Sequence, residues 1–376
     1  MPVLSDHDRL ARIQANNFEW LRPDWFLRLE KLYDGACAVL KLSPQELSAN
    51  GGISTSTAEQ FLKEAAALDP HKELEKVSKA GGAILFLGEE NYPQSLAETS
   101  DPPLLLYVRG KADFTRTAVG IVGTRKPTPY GKRVAARLAR DIASAGAVIV
   151  SGLARGIDSV AHAAALETET PTWAVIGTGI GRCYPAENAD LARAIIERGG
   201  AVISEYNFDK GPLQHHFPRR NRIVSGLSRA VAVVEGAAAS GALITAKLAL
   251  EQGREVLAVP GPVDSPQSEG PNMLIKEGAG VLRNATDLLE ALPLEYRFGL
   301  AGQDKDPEGF LAPPPAPQGM SDDERTVLEL LGTAGATLDA VVEKTGWDVP
   351  RAATALFELE TKTVVTCLSG VYSRKL

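Results

Sequence analysis

Short apolar runs alternate with amphipathic stretches through the middle of the chain, between residues 82 and 292. This alternation predicts strands at residues 83–87, 104–108, 118–122, 147–150, 173–176, 201–204, 230–234 and 255–259. Because these runs are apolar at almost every position, we expect the strands to be buried on both faces of the sheet. The predicted fold class is therefore α/β, with an extended, mostly parallel, Rossmann-like sheet covered by helices.

Different patterns flank this region on both sides. Residues 1–80 show helical spacing broken by Asn50-Gly51-Gly52, which predicts an all-helical domain similar to SAM or helix-hairpin-helix units. Residues 320–376 predict three helices and then two short strands, the order of a winged helix, with Ser321 as N-cap and Glu324 completing a capping box. The predicted domains are 1–80, 81–292 and 320–376, and the proline-rich segment 293–319 is a semi-rigid linker.

Composition places the chain among ordinary globular proteins, with 44% hydrophobic residues over 376 positions. The N-terminal residues carry charges throughout, and no stretch reaches the roughly 18 to 20 apolar residues of a membrane span. Cys37, Cys183 and Cys367 lie far apart, so we expect neither a disulfide framework nor a zinc knuckle. We expect a cytoplasmic protein with no membrane partner.

The distribution of charge matters more than the formal net charge of −7. Residues 114–140 contain seven basic residues and no acidic one, although a solvated helix face explains residues 132–140 equally well. Residues 206–229 contain five basic residues against one acid, in a segment that we interpret as a loop. Clustered cations of this kind are typical of a site for phosphates.

Three predicted strands run into glycine-rich turns, at residues 118–131, 147–158 and 174–181. Backbone amides at helix starts favour an anion there, although any single turn of this kind also needs glycine for purely structural reasons. The first turn lacks the Gly-x-Gly-x-x-Gly spacing of a dinucleotide site, and the chain has no P-loop motif. Arginine follows instead, at Arg125 and in the run Phe217 to Arg222, which suits an extended polynucleotide.

These motifs occur in a recognisable order. They are Asn91-Tyr92-Pro93, Asp101-Pro102-Pro103, Gly123-Thr124-Arg125, Tyr130-Gly131, residues 151–158, Ala161-His162, Tyr184-Pro185, residues 217–221, residues 240–246 and Pro260-Gly261. The order resembles the DprA family over about residues 83 to 290. The resemblance implies a non-catalytic protein without a cofactor that binds and protects single-stranded DNA, assists RecA loading during natural transformation and forms a homodimer.

The resemblance also implies which residues line the DNA site. Carried over by position, they are Gly123, Thr124, Arg125, Lys126, Ser151, Gly152, Arg155, Gly156, Phe217, Arg219, Arg220, Asn221, Arg222, Ser240, Gly241 and Lys247. Two alternatives stay open at this point. The arginines between 219 and 222 could form a structural salt-bridge cluster, and Phe217 could be a core residue rather than a stacking platform.

Two enzymatic readings compete with DNA binding. Residues 235–247 resemble the glycine-rich turn of nucleoside-monophosphate phosphoribohydrolases, but Ala246, Lys247 and Leu248 stand where such an enzyme needs a carboxylate. Ser151, Asp158 and His162 could be a catalytic set, although Asp158 and His162 are spaced to pair with each other on one helix. Either hypothesis would make the protein an enzyme. Hydrolysis of AMP would reveal a phosphoribohydrolase.

Three further expectations concern sites outside this pocket. His215 and His216 are adjacent in a predicted extended loop and should point in opposite directions, so we expect no metal site. Leu282 and Leu288 are expected at an isologous dimer interface. The winged helix carries six basic and nine acidic residues between 321 and 376, which favours a protein-interaction module over a DNA reader.

Overall fold

The computed structural model describes residues 4–297, 320–331, 336–362, 364–368 and 370–374. The chain divides into two compact units, residues 1–306 and residues 307–376. The first unit holds both the N-terminal helices and the sheet. Most of the predicted linker, from residue 298 on, lies outside the described residues.

Six helices form the N-terminal part of the first unit. They are α1 (Asp6–Ala15), α2 (Pro23–Leu32), α3 (Ala36–Val39), α4 (Pro44–Gly51), α5 (Thr55–Ala66) and α6 (Pro70–Lys79). Their core contains an edge-to-face contact between Trp25 and Phe61, with ring centres 5.2 Å apart. The first helix also contributes Ile13 to a cluster with Phe86 and Tyr107 of the sheet, so this part packs directly on the sheet.

Nine strands form one sheet in the first unit. They are β1 (Gly82–Phe86), β2 (Leu105–Gly110), β3 (Ala118–Val122), β4 (Val148–Ser151), β5 (Thr172–Val175), β6 (Ala201–Ser204), β7 (Ala230–Val233), β8 (Glu255–Ala258) and β9 (Gly280–Val281). Their order is β1-β2-β6-β5-β4-β3-β7-β8-β9. Strands β1 and β2 are antiparallel to each other, β2 is antiparallel to β6, and the remaining pairs are parallel.

The predicted mostly parallel sheet is confirmed. All eight predicted strands are present, with ends that shift by no more than two residues. The prediction succeeded because β3, β4, β5, β6 and β7 are buried at every position, as the continuous apolar runs required. It missed β9, because two residues carry no periodicity.

Helices connect these strands and pack on the sheet. They are α7 (Gln94–Ala97), α8 (Pro129–Ser144), α9 (Ile157–Ala165), α10 (Ala189–Glu197), α11 (His216–Leu227), α12 (Gly241–Glu251), α13 (Glu269–Lys276), α14 (Ala285–Ala291) and α15 (Leu294–Arg297). From β3 the chain first builds the sheet towards β4 and β5, and it later adds β7 and β8 on the other side of β3. The point between β3 and β7 is therefore a topological switch point, where open α/β sheets form a crevice at the carboxyl ends of their strands.

The structure corrects the predicted dimer residues. Leu282 and Leu288 are both 0% exposed in the single chain, so neither can form a surface between two copies. Both side chains belong to the interior of the first unit. Val281, the neighbouring residue at the end of β9, is 44% exposed.

The second unit is a winged helix. It contains α16 (Asp322–Leu331), β10 (Ala336–Thr337), α17 (Leu338–Thr345), α18 (Val349–Thr361), β11 (Val365–Leu368) and β12 (Val371–Arg374). The predicted capping box is confirmed, since the Ser321 amide donates to Glu324 Oε2 at 2.7 Å and the Glu324 amide to Ser321 Oγ at 3.2 Å. Leu328, Leu356 and Leu359 build its core.

Within the described part of the chain, none of the helices has the length and apolar character needed to cross a membrane.

Candidate nucleic-acid interface

An open cleft of about 520 Å³ lies at the carboxyl ends of β3 and β4 and beside the loop that follows β7. This is the crevice that the strand order requires. Nine predicted site residues line the cleft, namely Gly123, Thr124, Arg125, Gly152, Phe217, Arg220, Asn221, Ser240 and Gly241. Its other lining residues are Val122, Ala154, Asp158, Tyr184, Gln214, Pro218, Val224, Ala242 and Thr245.

Arg125 and two aromatic rings form the accessible part of this cleft. The guanidinium of Arg125 lies 5.6 Å from the centre of the half-buried Phe217 ring. Tyr184, which is 43% exposed, lies 5.3 Å from Phe217 on a tilted plane. Among the described residues Arg125 forms no ion pair, so its charge faces solvent and can meet a phosphate. A cation beside accessible aromatic rings is an arrangement typical of sites for single-stranded nucleic acids.

Two of the helix starts predicted to hold phosphates already hold carboxyl groups of the chain. At the start of α8, Glu235 accepts the Thr128 amide at 2.9 Å and also the Thr128 hydroxyl. At the start of α9, Asp158 Oδ2 accepts the amides of Gly152 at 3.1 Å and Ala154 at 3.3 Å. These carboxyl groups satisfy the amides that an anion would otherwise bind. The Gly152 amide is therefore no donor for a ligand, contrary to our expectation.

The start of α12 differs from both. Its N-cap residue, Ser240, makes no side-chain capping hydrogen bond, and the first turn of α12 carries no acidic residue. Ser240 Oγ is buried without a hydrogen-bond partner. Ser240, Gly241 and Ala242 all line the cleft. The positive end of this helix dipole is thus the one that remains available to a phosphate in the cleft.

The arginine run of residues 219–222 is helical, which corrects its interpretation as a loop. On α11, Phe217, Arg220, Asn221 and Val224 share one face and line the cleft, as helical spacing dictates. Arg219 and Arg222 point away from it. Arg219 donates to the carbonyls of Glu19 at 3.2 Å and Leu21 at 2.6 Å.

Arg222 belongs to a buried ion-pair cluster. It is 5% exposed, and it pairs with Glu205 at 2.6 Å and Asp101 at 2.8 Å. Burial alone would raise the pKa of Glu205, but the adjacent Arg222 and Arg219 guanidinium groups lower it overall. The prediction that Arg219 and Arg222 form a wall of the DNA site is therefore wrong, and the structural salt-bridge alternative holds for both.

Arg220 lies in the floor of the cleft and is almost completely buried. It is 4% exposed, and its Nη1 donates to the carbonyls of Gly152 and Val175. Burial lowers its pKa to about 10, so it carries a charge at neutral pH. Burial raises the pKa of the neighbouring Asp158 carboxyl. A Cβ at position 152 would lie 2.5 Å from Arg220 Nη1, and for this reason the position requires glycine.

The remaining predicted residues lie outside the cleft lining. Ser151 is fully buried and donates its hydroxyl to the Ile121 carbonyl at 2.6 Å. Arg155 pairs with Glu187 at 2.8 Å, and Lys247 lies 4.0 Å from Glu251 on the exposed face of α12. Lys126 is exposed beside Arg125.

Gly156 does not line the cleft either. It has a φ of +82°, and a Cβ there would lie 2.3 Å from the Thr124 carbonyl. Glycine at this position lets the first turn pack closely on the start of α9.

The proposed Ser-Asp-His set does not assemble. His162 Nδ1 bonds the Thr172 hydroxyl at 2.8 Å, and the Ser151 hydroxyl is used by a backbone carbonyl. The expected pairing of Asp158 with His162 is also wrong, because Asp158 accepts backbone amides instead. Burial lowers the pKa of His162 to about 3.

The histidine pair differs from its prediction as well. His215 and His216 lie at the start of a helix, and the Nε2 atoms of both converge on Glu19 Oε1, each at 2.6 Å. Glu19 lies almost 200 positions away in the sequence, at 196 and 197 residues from the two histidines. Only tertiary packing brings it there, so ligand spacing in the sequence could not reveal the cluster.

Sequence reasoning also missed Tyr184, Gln214, Thr245 and Glu235. Tyr184 stands in a motif that we recognised, so an exposed aromatic beside Pro185 was the available signal. Glu235 follows β7 and lies 107 positions from Thr128, so no local signal indicates that it caps the start of α8.

The parallel sheet, its covering helices and the cleft at the switch point place the chain among the Rossmann-like α/β proteins. The family model of DNA recombination-mediator protein A matches residues 83–293, and that of the DprA winged helix domain matches residues 311–370. The chain belongs to the DNA recombination-mediator protein A family, also named DprA or Smf.

Several relatives support this assignment. Protein Smf from Escherichia coli is 39% identical over 331 residues, which cover 86% of this chain and 85% of that protein. DNA processing protein DprA from Bacillus subtilis is 45% identical over 209 residues, covering 55% of this chain and 70% of that protein.

Two solved structures share the fold. The structure of DNA processing protein A from Streptococcus pneumoniae has a TM-score of 0.66 and 30% identity, covering 78% of this chain and 100% of that one. The structure of DNA processing protein A from Helicobacter pylori has a TM-score of 0.51 and 32% identity, and the match covers 56% of this chain and 97% of that one. The Helicobacter pylori structure concerns the single-stranded DNA binding mode of that protein.

Proposed function

We propose that this protein binds and protects single-stranded DNA in the switch-point cleft. One observation carries the proposal: Arg125, which has no ion pair among the described residues, lies over Phe217 in a cleft that also contains the uncapped start of α12. The cation and the helix start offer two points for phosphates, and the rings of Phe217 and Tyr184 offer faces for unstacked bases. The single-stranded DNA binding of the Helicobacter pylori relative supports the same ligand.

The geometry favours single strands over duplex DNA. Bases must leave a duplex before their faces can reach Phe217 or Tyr184, and that unstacking costs free energy. A strand whose bases are already exposed avoids this cost. Among the residues that line the cleft, only Gln214 and Asn221 carry side-chain amides that could bind base edges. Because the other contacts are to phosphates and ring faces, binding should be nearly independent of base sequence.

A titration of the full chain with labelled oligonucleotides tests the proposal. Single-stranded DNA and blunt duplex of equal length are compared at two salt concentrations, together with two single strands of unrelated sequence. We expect the single strands to bind more tightly than the duplex and equally to each other. Equal affinity for single strand and duplex would refute the proposal.

We further propose that this activity is non-catalytic. Ser151, Asp158 and His162 each have other hydrogen-bond partners, and Ala246, Lys247 and Leu248 occupy the positions where a phosphoribohydrolase needs a carboxylate. Incubation with AMP should leave the nucleotide intact. Release of adenine, lost on substitution of a cleft residue, would show an enzyme instead.

Two further proposals concern the partner protein and the cellular location. We propose that the bound strand is passed to RecA in the cytoplasm during natural transformation, in line with recombination mediation by the family. RecA filament assembly on a strand covered by single-strand-binding protein should accelerate when this protein is added. An unchanged rate of filament assembly would show that the protein binds DNA without assisting RecA.

We also propose a homodimer, formed through other residues than those first expected. Val281 is 44% exposed on the edge strand β9, and Leu294 is 68% exposed on α15 shortly after it in the chain. An interface would cover these apolar side chains. Sedimentation should show a dimer for the wild type and a monomer for Val281→Arg combined with Leu294→Arg. A monomeric wild type at micromolar concentration would contradict the proposal.

A further inference from the structure

Glu19, His215 and His216 bring three potential metal ligands together on the N-terminal side of α11. One carboxylate oxygen and one ring nitrogen from each histidine lie within 4.8 Å of one another. Glu19 comes from the segment between α1 and α2, and the histidines come from the start of α11. The cluster therefore joins two separate parts of the first unit, next to the cleft residue Phe217.

The hydrogen bonds of His216 leave a problem that a cation would solve. Its Nδ1 lies 3.1 Å from the Gly177 carbonyl, which only accepts, so Nδ1 must carry a hydrogen. In a neutral ring Nε2 then presents a lone pair, and this lone pair faces Glu19 Oε1 at 2.6 Å. Two lone pairs at that distance repel each other unless a proton or a metal ion lies between them.

The surroundings of His216 match those of a metal-bound histidine. Metal-ligating histidines usually donate their other ring N–H to a carbonyl or carboxylate, which fixes the tautomer and the ring orientation. Gly177 supplies that carbonyl here. The ring is also held by stacking on Tyr206, with ring centres 3.8 Å apart.

We infer that Glu19, His215 and His216 form a binding site for a divalent transition metal ion such as Zn²⁺. Two imidazole nitrogens and one carboxylate oxygen are a ligand set that zinc uses, with a water in the fourth position. The side chain of His215 is 38% exposed, so water can reach that position. Lys210 contacts the other carboxylate oxygen of Glu19, Oε2, and thereby leaves Oε1 for the metal.

Binding of a metal ion would require the three ligand atoms to move. Bonds of about 2.0 to 2.2 Å in a tetrahedral site keep ligand atoms roughly 3.3 Å apart. The Glu19 oxygen would need to withdraw by about 0.7 Å from each histidine nitrogen. The ligand atoms, which span up to 4.8 Å, would also need to close towards this spacing, and the partly exposed ring of His215 is the one free to rotate inward. Bound metal would fix the start of α11 against the N-terminal helices and so hold Phe217 in place, but the metal site itself does not depend on the DNA-binding proposal.

The test is a calorimetric titration of the full chain with ZnCl₂ after removal of metals by a chelator. We expect one equivalent to bind per chain, and we expect Glu19→Gln and His215→Ala each to weaken binding by at least about tenfold. His71→Ala is the matched control, because His71 is exposed on α6 away from the cluster. Circular dichroism verifies that each variant is folded.

A second readout uses Trp20, whose ring stacks on His215 with centres 4.8 Å apart. Paramagnetic Co²⁺ in the site should quench Trp20 fluorescence in the wild type but not in His215→Ala, while Trp20→Phe should still bind the ion. If the chain does not bind one equivalent of Zn²⁺ with a dissociation constant below about 10 μM, the inference is overturned. A shared proton would then explain the short contacts between Glu19 and the two histidines. Binding that survives Glu19→Gln and His215→Ala would overturn it equally.

Discussion

The guanidinium of Arg125 lies 5.6 Å from the centre of the Phe217 ring, and together they join the first glycine turn of the sheet to the first turn of α11. A base stacked on Phe217 would thus have its phosphate within reach of a cation. This pairing links the electrostatic and the stacking parts of the proposed interface.

Replacing Phe217 with Ala should lower single-stranded DNA affinity by about 1 to 3 kcal/mol, the usual value of one stacked base. Phe217→Leu keeps apolar volume and should recover stability but not the stacking. Phe357→Ala, at a 69% exposed position of the winged helix, is the control for loss of an exposed ring. Fluorescence anisotropy measures the affinities, and undiminished binding by Phe217→Ala would make the ring a structural residue.

Replacing Arg222 with Ala should destabilise the fold by about 3 to 5 kcal/mol, because Glu205 would remain buried without its partner. The control is Arg155→Ala, which breaks an exposed ion pair with Glu187 and should leave the stability of the fold nearly unchanged. Urea unfolding measures both. If Arg222→Ala kept full stability and lost only DNA binding, the assignment of Arg222 to the structural cluster would fail.

Stability should decrease between pH 7 and pH 5 through His162. Its folded-state pKa is about 3, whereas the unfolded chain has an ordinary value near 6.5, so protons bind the unfolded state first as the pH falls. The loss attributable to this group at pH 5 is about 2 kcal/mol. His162→Gln should therefore show a shallower decrease over this range. Parallel stability curves for the two proteins would contradict the assignment.

Removing residues 319–376 should leave single-stranded DNA affinity within about tenfold of the full chain, or roughly 1.4 kcal/mol. The reason is that the cleft is built entirely by residues 122–245, whereas the winged helix carries more acidic than basic residues. The same anisotropy titration measures the affinity of the truncated protein. A larger loss would show that the winged helix contacts the strand.

The sheet could be predicted from the sequence because its central strands, β3 to β7, are buried at every position. The glycine turns were located correctly for the same reason, since each follows such a strand. Their chemistry was harder to predict. Nothing local shows that Glu235 and Asp158 fill two helix starts while the start of α12 stays uncapped.

The arginine run shows a second limit. The two histidines and the asparagine beside the arginines favoured a loop, yet the segment is helical. Its proline, Pro218, lies in the first turn, where its missing N–H costs nothing. Once the segment is helical, its 3.6-residue period separates Arg220 and Asn221 from Arg219 and Arg222. Glu19 and the histidines meet only through tertiary packing, which no spacing rule detects.

The most direct test of the central claim is the salt dependence of single-stranded DNA binding by the wild type, Arg125→Ala and Arg155→Ala. Each phosphate contact contributes about 0.7 to the slope of log affinity against log salt for single strands. We predict that Arg125→Ala weakens binding to all sequences alike and reduces the slope by about that amount. Arg155→Ala, which lies outside the cleft, should match the wild type. An unchanged slope for Arg125→Ala would contradict the assignment of this cleft as the DNA-binding site.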